Sequence, residues 1–374
     1  MKKSGFKKFF RGVVFSGVLI FALIGFFLTA GFFAVKYKLT DAAGSVDFND
    51  KYFDKVAKKY NENIKTSDIR AEQVFRKSSI YYRISLIDSL YPKNGGYILS
   101  AFEKTGSLEL AERMISAAEL YLTENQLYAS RMKEFISPSN KNSDKPTDKS
   151  IYYWMNSVEW ESLKGALAKE KELVKDIAKK TGVEPRLIIT MFVGEQMRIH
   201  FAEREQIKKA FLPLKLLHNS TKFSYGISGI KDETGALIEG YLKDSKSPFY
   251  PGEQYKKLLD YPEDEGNIEL ARYIRLTDRS HYWSYLYTAL FVKEIITQWK
   301  NSGFDIEKRP EILATIFNIG FINSKPNSDP KTGGAEIKIN EKPYTYGSIG
   351  FEFYFSGELL EEFPYELFPK EEIL

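Results

Sequence analysis

Apolar positions recur along the chain with two kinds of pattern, one unbroken run near the start and helical periodicity through most of the rest. Gly12 to Val35 runs 24 residues without a charge. At about 1.5 Å per residue, that is roughly 36 Å of helix, enough to cross a ~30 Å hydrocarbon core with some tilt. Beyond it, Ser107 to Leu122 places Leu110, Met114, Ala117, Ala118 and Tyr121 at helical spacing. Pro92-Lys93-Asn94-Gly95-Gly96 reads as a turn between two such pieces. Long helical patterns follow at about residues 156–181, 185–210, 268–300 and 309–318. Ala335 to Asn340 alternates instead and leads through a turn to Tyr344-Thr345-Tyr346, which predicts one small β-hairpin. Residues 137–149 hold no large apolar side chain and read as a linker. The fold class expected is mainly α. The predicted organisation is a tail at 1–11, a membrane helix at 12–35, a helical stalk or packing subdomain at 36–136, a linker at 137–149 and a mainly α domain with a C-terminal extension at 150–374.

Charge changes this picture at one end only. The chain carries 54 Lys and Arg against 50 Asp and Glu, a formal +4. Residues 1–11 supply +5 through Lys2, Lys3, Lys7, Lys8 and Arg11, which leaves −1 for everything after them. The basic excess is therefore an orientation signal beside an apolar run, not a nucleic-acid surface. By the positive-inside rule it places residues 1–11 in the cytoplasm and residues 36–374 outside, with the membrane crossed once. The alternative is a cleaved signal peptide, whose apolar region is usually about 7–15 residues; here the run continues past Ala30 to Val35. With no cysteine, the sequence excludes disulfides and thiol nucleophiles. His200, His218 and His281 have no metal-ligand spacing, so no metal or cofactor is expected.

The candidate chemistry sits on one helix. Gly182 and Pro185 mark the end of one helix and the start of the next. On the second, Glu195 breaks an apolar face made by Leu187, Ile188, Met191, Phe192 and Ile199. Desolvation there favours the protonated carboxyl, which suits a general acid. The alternative is a rim carboxylate paired with an arginine such as Arg198. Gly194, without a side chain, leaves room for something to approach.

These residues resemble the lysozyme-like lytic transglycosylases, the superfamily that includes goose-type lysozymes. Gly182-Val183-Glu184-Pro185-Arg186-Leu187 leading to Glu195 is similar to the family's catalytic helix. Ser224-Tyr225-Gly226-Ile227-Ser228-Gly229-Ile230 to Thr234 is similar to its second motif. Ile312 to Gly320, with Phe317-Asn318, is similar to its third. The three stand in the family's order over roughly residues 165–325. Gly229 takes the place of a family glutamine, and Phe317 that of a tyrosine. The resemblance implies a lysozyme-like α domain and cleavage of the bond between N-acetylmuramic acid and N-acetylglucosamine. It makes Glu195 acid and then base, and Ser224, Tyr225, Gly226, Ile227, Ser228, Gly229, Ile230, Phe317 and Asn318 the substrate-binding residues. The implied partners are peptidoglycan strands and a cell-wall, division or secretion complex.

Two further readings stay open. A second acid would permit hydrolysis, as in a muramidase; Glu203, Glu205, Asp232 and Glu233 are near in sequence. A degenerate relative would bind glycan, or serve as a scaffold, without cleaving. The aromatics Tyr282, Trp283, Tyr285, Tyr287, Phe291 and Trp299 read mainly as core, with some available to stack on sugar rings. Ala202 to Lys209 is a charged helix placed to cap one end of a groove. Asp260 to Glu265 reads as a solvated loop, and Thr332-Gly333-Gly334 lacks the features of a phosphate loop.

Overall fold

The computed structural model describes residues 45–46, 69–122, 128, 146–201, 224–225 and 227–368. The basic tail, the apolar run 12–35, most of the linker and Ala202 to Lys209 lie outside the described residues. Among the described residues no helix is long and apolar enough to cross a membrane.

The chain is mainly helical with small two-stranded sheets. Strand β1 is Ser45–Val46. Helices α1 (Ile69–Leu90), α2 (Pro92–Thr105) and α3 (Leu108–Leu122) come next. They are followed by α4 (Val158–Lys169), α5 (Lys171–Thr181) and α6 (Pro185–Phe201). Strands β2 (Ser224–Tyr225) and β3 (Ile230–Lys231) precede α7 (Asp232–Tyr241). Then come α8 (Ile268–Thr277), α9 (Tyr282–Asn301) and α10 (Pro310–Ile319). Strands β4 (Gly333–Gly334), β5 (Glu336–Ile339) and β6 (Lys342–Thr345) lead into α11 (Tyr346–Ser356).

The expected hairpin is β5 and β6, paired antiparallel with Ile337 opposite Tyr344. Ile337 and Ile339 are buried while Glu336 and Lys338 are exposed, the alternation of a half-buried strand. β1 pairs antiparallel with β4, and β2 with β3. Thr345 opens α11 with a capping box to Ser348.

Three expectations are corrected. Pro92 to Gly96 is the first turn of α2, not a turn between helices. Gly95 is there for approach, since a Cβ on it would lie 2.5 Å from the Asp88 Cα of α1. The pattern at 156–181 divides at Glu170 into α4 and α5. The pattern at 268–300 divides at Asp278 to His281, where His281 adopts φ 61°.

Helix α6 is the centre of the molecule. Every residue from Pro185 to Glu195 is buried, and α5, α9, α10 and α11 pack around it. α1–α3 join the same core. Arg113 of α3 donates to the Lys308 carbonyl (3.0 Å). The Tyr121 hydroxyl donates to the buried Glu352 of α11, which also accepts from Trp154 Nε1 at 2.7 Å.

Candidate functional site

Three pieces distant in sequence meet around Glu195. Its side chain is buried, 5% exposed, at the point where α6 meets the turn between β2 and β3. Gln196, the next residue, ties that turn down by donating from Nε2 to the Ile227 carbonyl at 2.6 Å. The β2–β3 pair then sets Gly229 directly against the carboxylate. A Cβ on Gly229 would lie 1.8 Å from Glu195 Oε1, and the residue has φ +66°. Both facts require glycine, since any side chain here would displace the carboxylate.

The carboxylate is not bare. Arg198, one turn along α6, donates from Nε to Glu195 Oε2 at 3.0 Å and from Nη2 to Oε1. The apolar stripe buries Glu195 as expected, but the arginine of the alternative reading is its immediate partner. Gly194 does make room, and what fills it is Tyr346. A Cβ on Gly194 would lie 2.6 Å from the Tyr346 ring. Tyr346 is fully buried and donates its hydroxyl proton to the Met191 carbonyl (2.6 Å). Burial first, and then the charge of Glu195, push this phenol far above its usual range.

Tyr346 also links Glu195 to the third motif. Its ring stacks on Phe317, with centroids 6.4 Å apart and planes at 30°. Asn318 is half-buried, and its Oδ1 accepts from the Ala335 N–H at 2.8 Å. Asn318 is thereby used to hold the end of β4 rather than bonded to Glu195. A Cβ on Gly334 would lie 3.0 Å from both Asn318 Oδ1 and Tyr346 Cβ. Tyr346 is the site residue that sequence reasoning missed. Its position after an alternating run marked it as strand, whereas it is the first residue of α11.

The remaining expected residues divide. Ser228 is 1% exposed, and its Oγ has no hydrogen-bond partner among the described residues. Ile227 is half-buried and contributes its carbonyl, while Ile230 lies in the core. Ser224 and Tyr225 form β2, and nothing is described of their side chains. Gly226, Glu203 and Glu205 fall outside the described residues. Asp232 is buried and ion-paired to Arg272 at 2.9 Å. The same guanidinium forks onto Glu239 at 2.9 and 2.8 Å. Burial would raise the Glu239 carboxyl, but Arg272, Tyr261 and Tyr287 hold it below the usual range. Glu233 is exposed.

Most α9 aromatics are core, as Tyr285, Tyr287, Phe291 and Trp299 are buried. Trp283 has the Arg275 guanidinium 4.0 Å from its ring centroid, so that face is already covered. His281 faces Glu170 at 3.4 Å. The unexpected member of α9 is Glu294, which is fully buried with neither carboxyl oxygen hydrogen-bonded among the described residues. Burial pushes it far above the usual carboxylate range. Among the described residues no group of three or more His, Asp or Glu side chains is placed to hold a metal ion. No family model matches the chain, and no curated protein or solved structure matches it either.

Proposed function

We propose that this chain is a divergent, lysozyme-like peptidoglycan lytic transglycosylase, anchored in a bacterial inner membrane by residues 12–35 with its N-terminus inside. The observation that carries the reading is the Gly229 turn set against Glu195, with Tyr346, which stacks on Phe317, packed against the neighbouring Gly194. The first two motifs of the resemblance thus meet at one buried carboxyl, and the third lies behind Tyr346. In this reading Glu195 protonates the glycosidic oxygen between N-acetylmuramic acid and N-acetylglucosamine. As a carboxylate it then takes the proton of the muramic 6-hydroxyl, which attacks the anomeric carbon and closes a 1,6-anhydro ring. The attack is intramolecular, so proximity replaces an activated water and one carboxylate suffices. The Gly229 backbone sets the position of the carboxylate, and in this reading the Ser228 hydroxyl and the Asn318 amide orient the sugar.

The test is product analysis. Incubation of the full chain with peptidoglycan should release fragments with 1,6-anhydro ends, and the Glu195→Gln variant should release none. Reducing ends would indicate hydrolysis instead. The second reading, a glycan-binding protein without turnover, is favoured by one observation: Arg198 occupies both oxygens of Glu195. Binding without any product would establish it.

A further inference from the structure

Asp232, Gly235 and Glu239 stand at i, i+3 and i+7 of α7, which puts them on one face over two turns. Arg272 of α8 lies along that face. Its guanidinium bonds Asp232 Oδ1 at 2.9 Å and forks onto Glu239 at 2.9 and 2.8 Å. Gly235 gives its stem room, since a Cβ there would lie 2.8 Å from Arg272 Cδ. All three charged groups are buried. Glu239 alone matches the charge of Arg272, and it also accepts from the hydroxyls of Tyr261 and Tyr287. A second buried carboxylate must be desolvated, and a buried ion pair adds little stability in return; its best-attested use is to fix register. Asp232 is placed for that use. It is the first residue of α7 and follows β3 directly. It stands three positions after Gly229, a reach of about 10 Å at most. The other end of the turn is held by Gln196 on the Ile227 carbonyl at 2.6 Å. The turn that sets Gly229 against Glu195 is thus pinned to α6 on one side and to α8 on the other. We propose that Asp232, through Arg272, is a positioning residue that holds the Gly229 backbone against the Glu195 carboxylate. This rests on the transglycosylase reading above and adds to it the fastener that keeps the acid in place.

The experiment compares variants of the full-length protein. Asp232→Ala removes the acceptor, and Asp232→Asn keeps an oxygen for Arg272 without the charge. Tyr261→Phe removes a hydrogen bond to Glu239 of the same network without touching the turn. Amide hydrogen exchange over residues 227–231, read by mass spectrometry, needs no substrate. In Asp232→Ala it should quicken at least about tenfold, as local opening becomes easier. Release of 1,6-anhydro ends from soluble peptidoglycan strands supplies kcat and KM. Asp232→Ala should lower kcat at least about tenfold and change KM less than about twofold, because geometry at the acid is lost while strand contacts remain. Asp232→Asn should recover most of kcat. Tyr261→Phe should lower the melting temperature yet leave the exchange of the turn and kcat as in wild type. If Asp232→Ala fails to fold by circular dichroism, Asp232→Ser takes its place, since serine suits a helix start but is too short to reach Arg272. Unchanged exchange at the turn, or unchanged kcat, in Asp232→Ala overturns the proposal. So does a kcat that falls as far in Tyr261→Phe, the mark of a general structural role. If wild type releases no product, the transglycosylase reading falls, and the exchange result alone decides whether Asp232 holds the turn.

Discussion

At residue 229 the distance between function and disruption is one methyl group. A Cβ there would sit 1.8 Å from Glu195 Oε1 on a backbone at φ +66°. Gly229→Ala should lower stability by roughly 1–3 kcal/mol, the scale of overpacking. It should reduce anhydro-product formation at least about 100-fold, because the carboxylate must move. Thermal melts and product quantification check the two effects separately. Glu294 makes a different prediction. Its folded-state carboxyl is raised by burial far above the ordinary value of 4.5. Between that value and the folded one, the native state holds a proton that the unfolded chain has released. Its stabilising contribution is therefore complete below about pH 4.5 and falls as pH rises, by up to about 1.4 kcal/mol per unit. Urea unfolding at several pH values should show this slope, and Glu294→Gln should flatten it. An unchanged slope in the variant would sink the assignment.

At the scale of elements, the ends of two helices are held by one buried arginine. Arg186, in the first turn of α6, is fully buried and donates to the carbonyls of Phe353, Tyr354, Glu358 and Phe363. These lie in and just beyond the last turn of α11, where carbonyls lack helical partners. Glu184 beside it accepts from the Tyr354 hydroxyl and from the Glu366 and Leu367 N–H groups. The C-terminal segment is thus fastened to the start of the helix that carries Glu195. Arg186→Met should destabilise the protein by at least about 4 kcal/mol, since four buried carbonyls lose their donor at about 1–3 kcal/mol each. Chemical denaturation measures it. α10 and α11 touch through Gly347 and Gly350, whose added Cβ atoms would lie 2.3 Å from Thr315 Oγ1 and 2.7 Å from Ala314 Cβ. Helical periodicity was enough to locate most of these elements. It failed at Glu170 and at Asp278 to His281 because a break between helices can leave the apolar spacing intact, while at Pro92 the proline and glycines that open α2 read as a turn.

For the whole molecule, α1–α3 belong to the core that holds the site. Tyr121 bonds to Glu352, and Lys93 reaches the buried Glu358 carboxylate at 2.6 Å. Residues 150–374 expressed alone should therefore fail to fold cooperatively, because α11 would expose buried carboxylates and aromatic side chains. Circular dichroism and gel filtration would show it, and a sharp, reversible melt of that fragment would contradict it.

The sequence by itself determined the helical content, the hairpin, the burial of Glu195 and the order of the motifs around it. These depend on spacing of a few residues, and side chains within a turn or two share a face whatever lies beyond. Tertiary structure alone decided that Gly229 closes on the carboxylate and that Tyr346 fills the space beside Gly194. It also decided that the Arg198 fork claims both oxygens. The reason is physical. Tyr346 and Gly194 stand far apart along the chain, and no local period carries information about which ring enters which gap. Arg198 was within reach by spacing, but only the shape of the surrounding core turned it toward Glu195 instead of toward water.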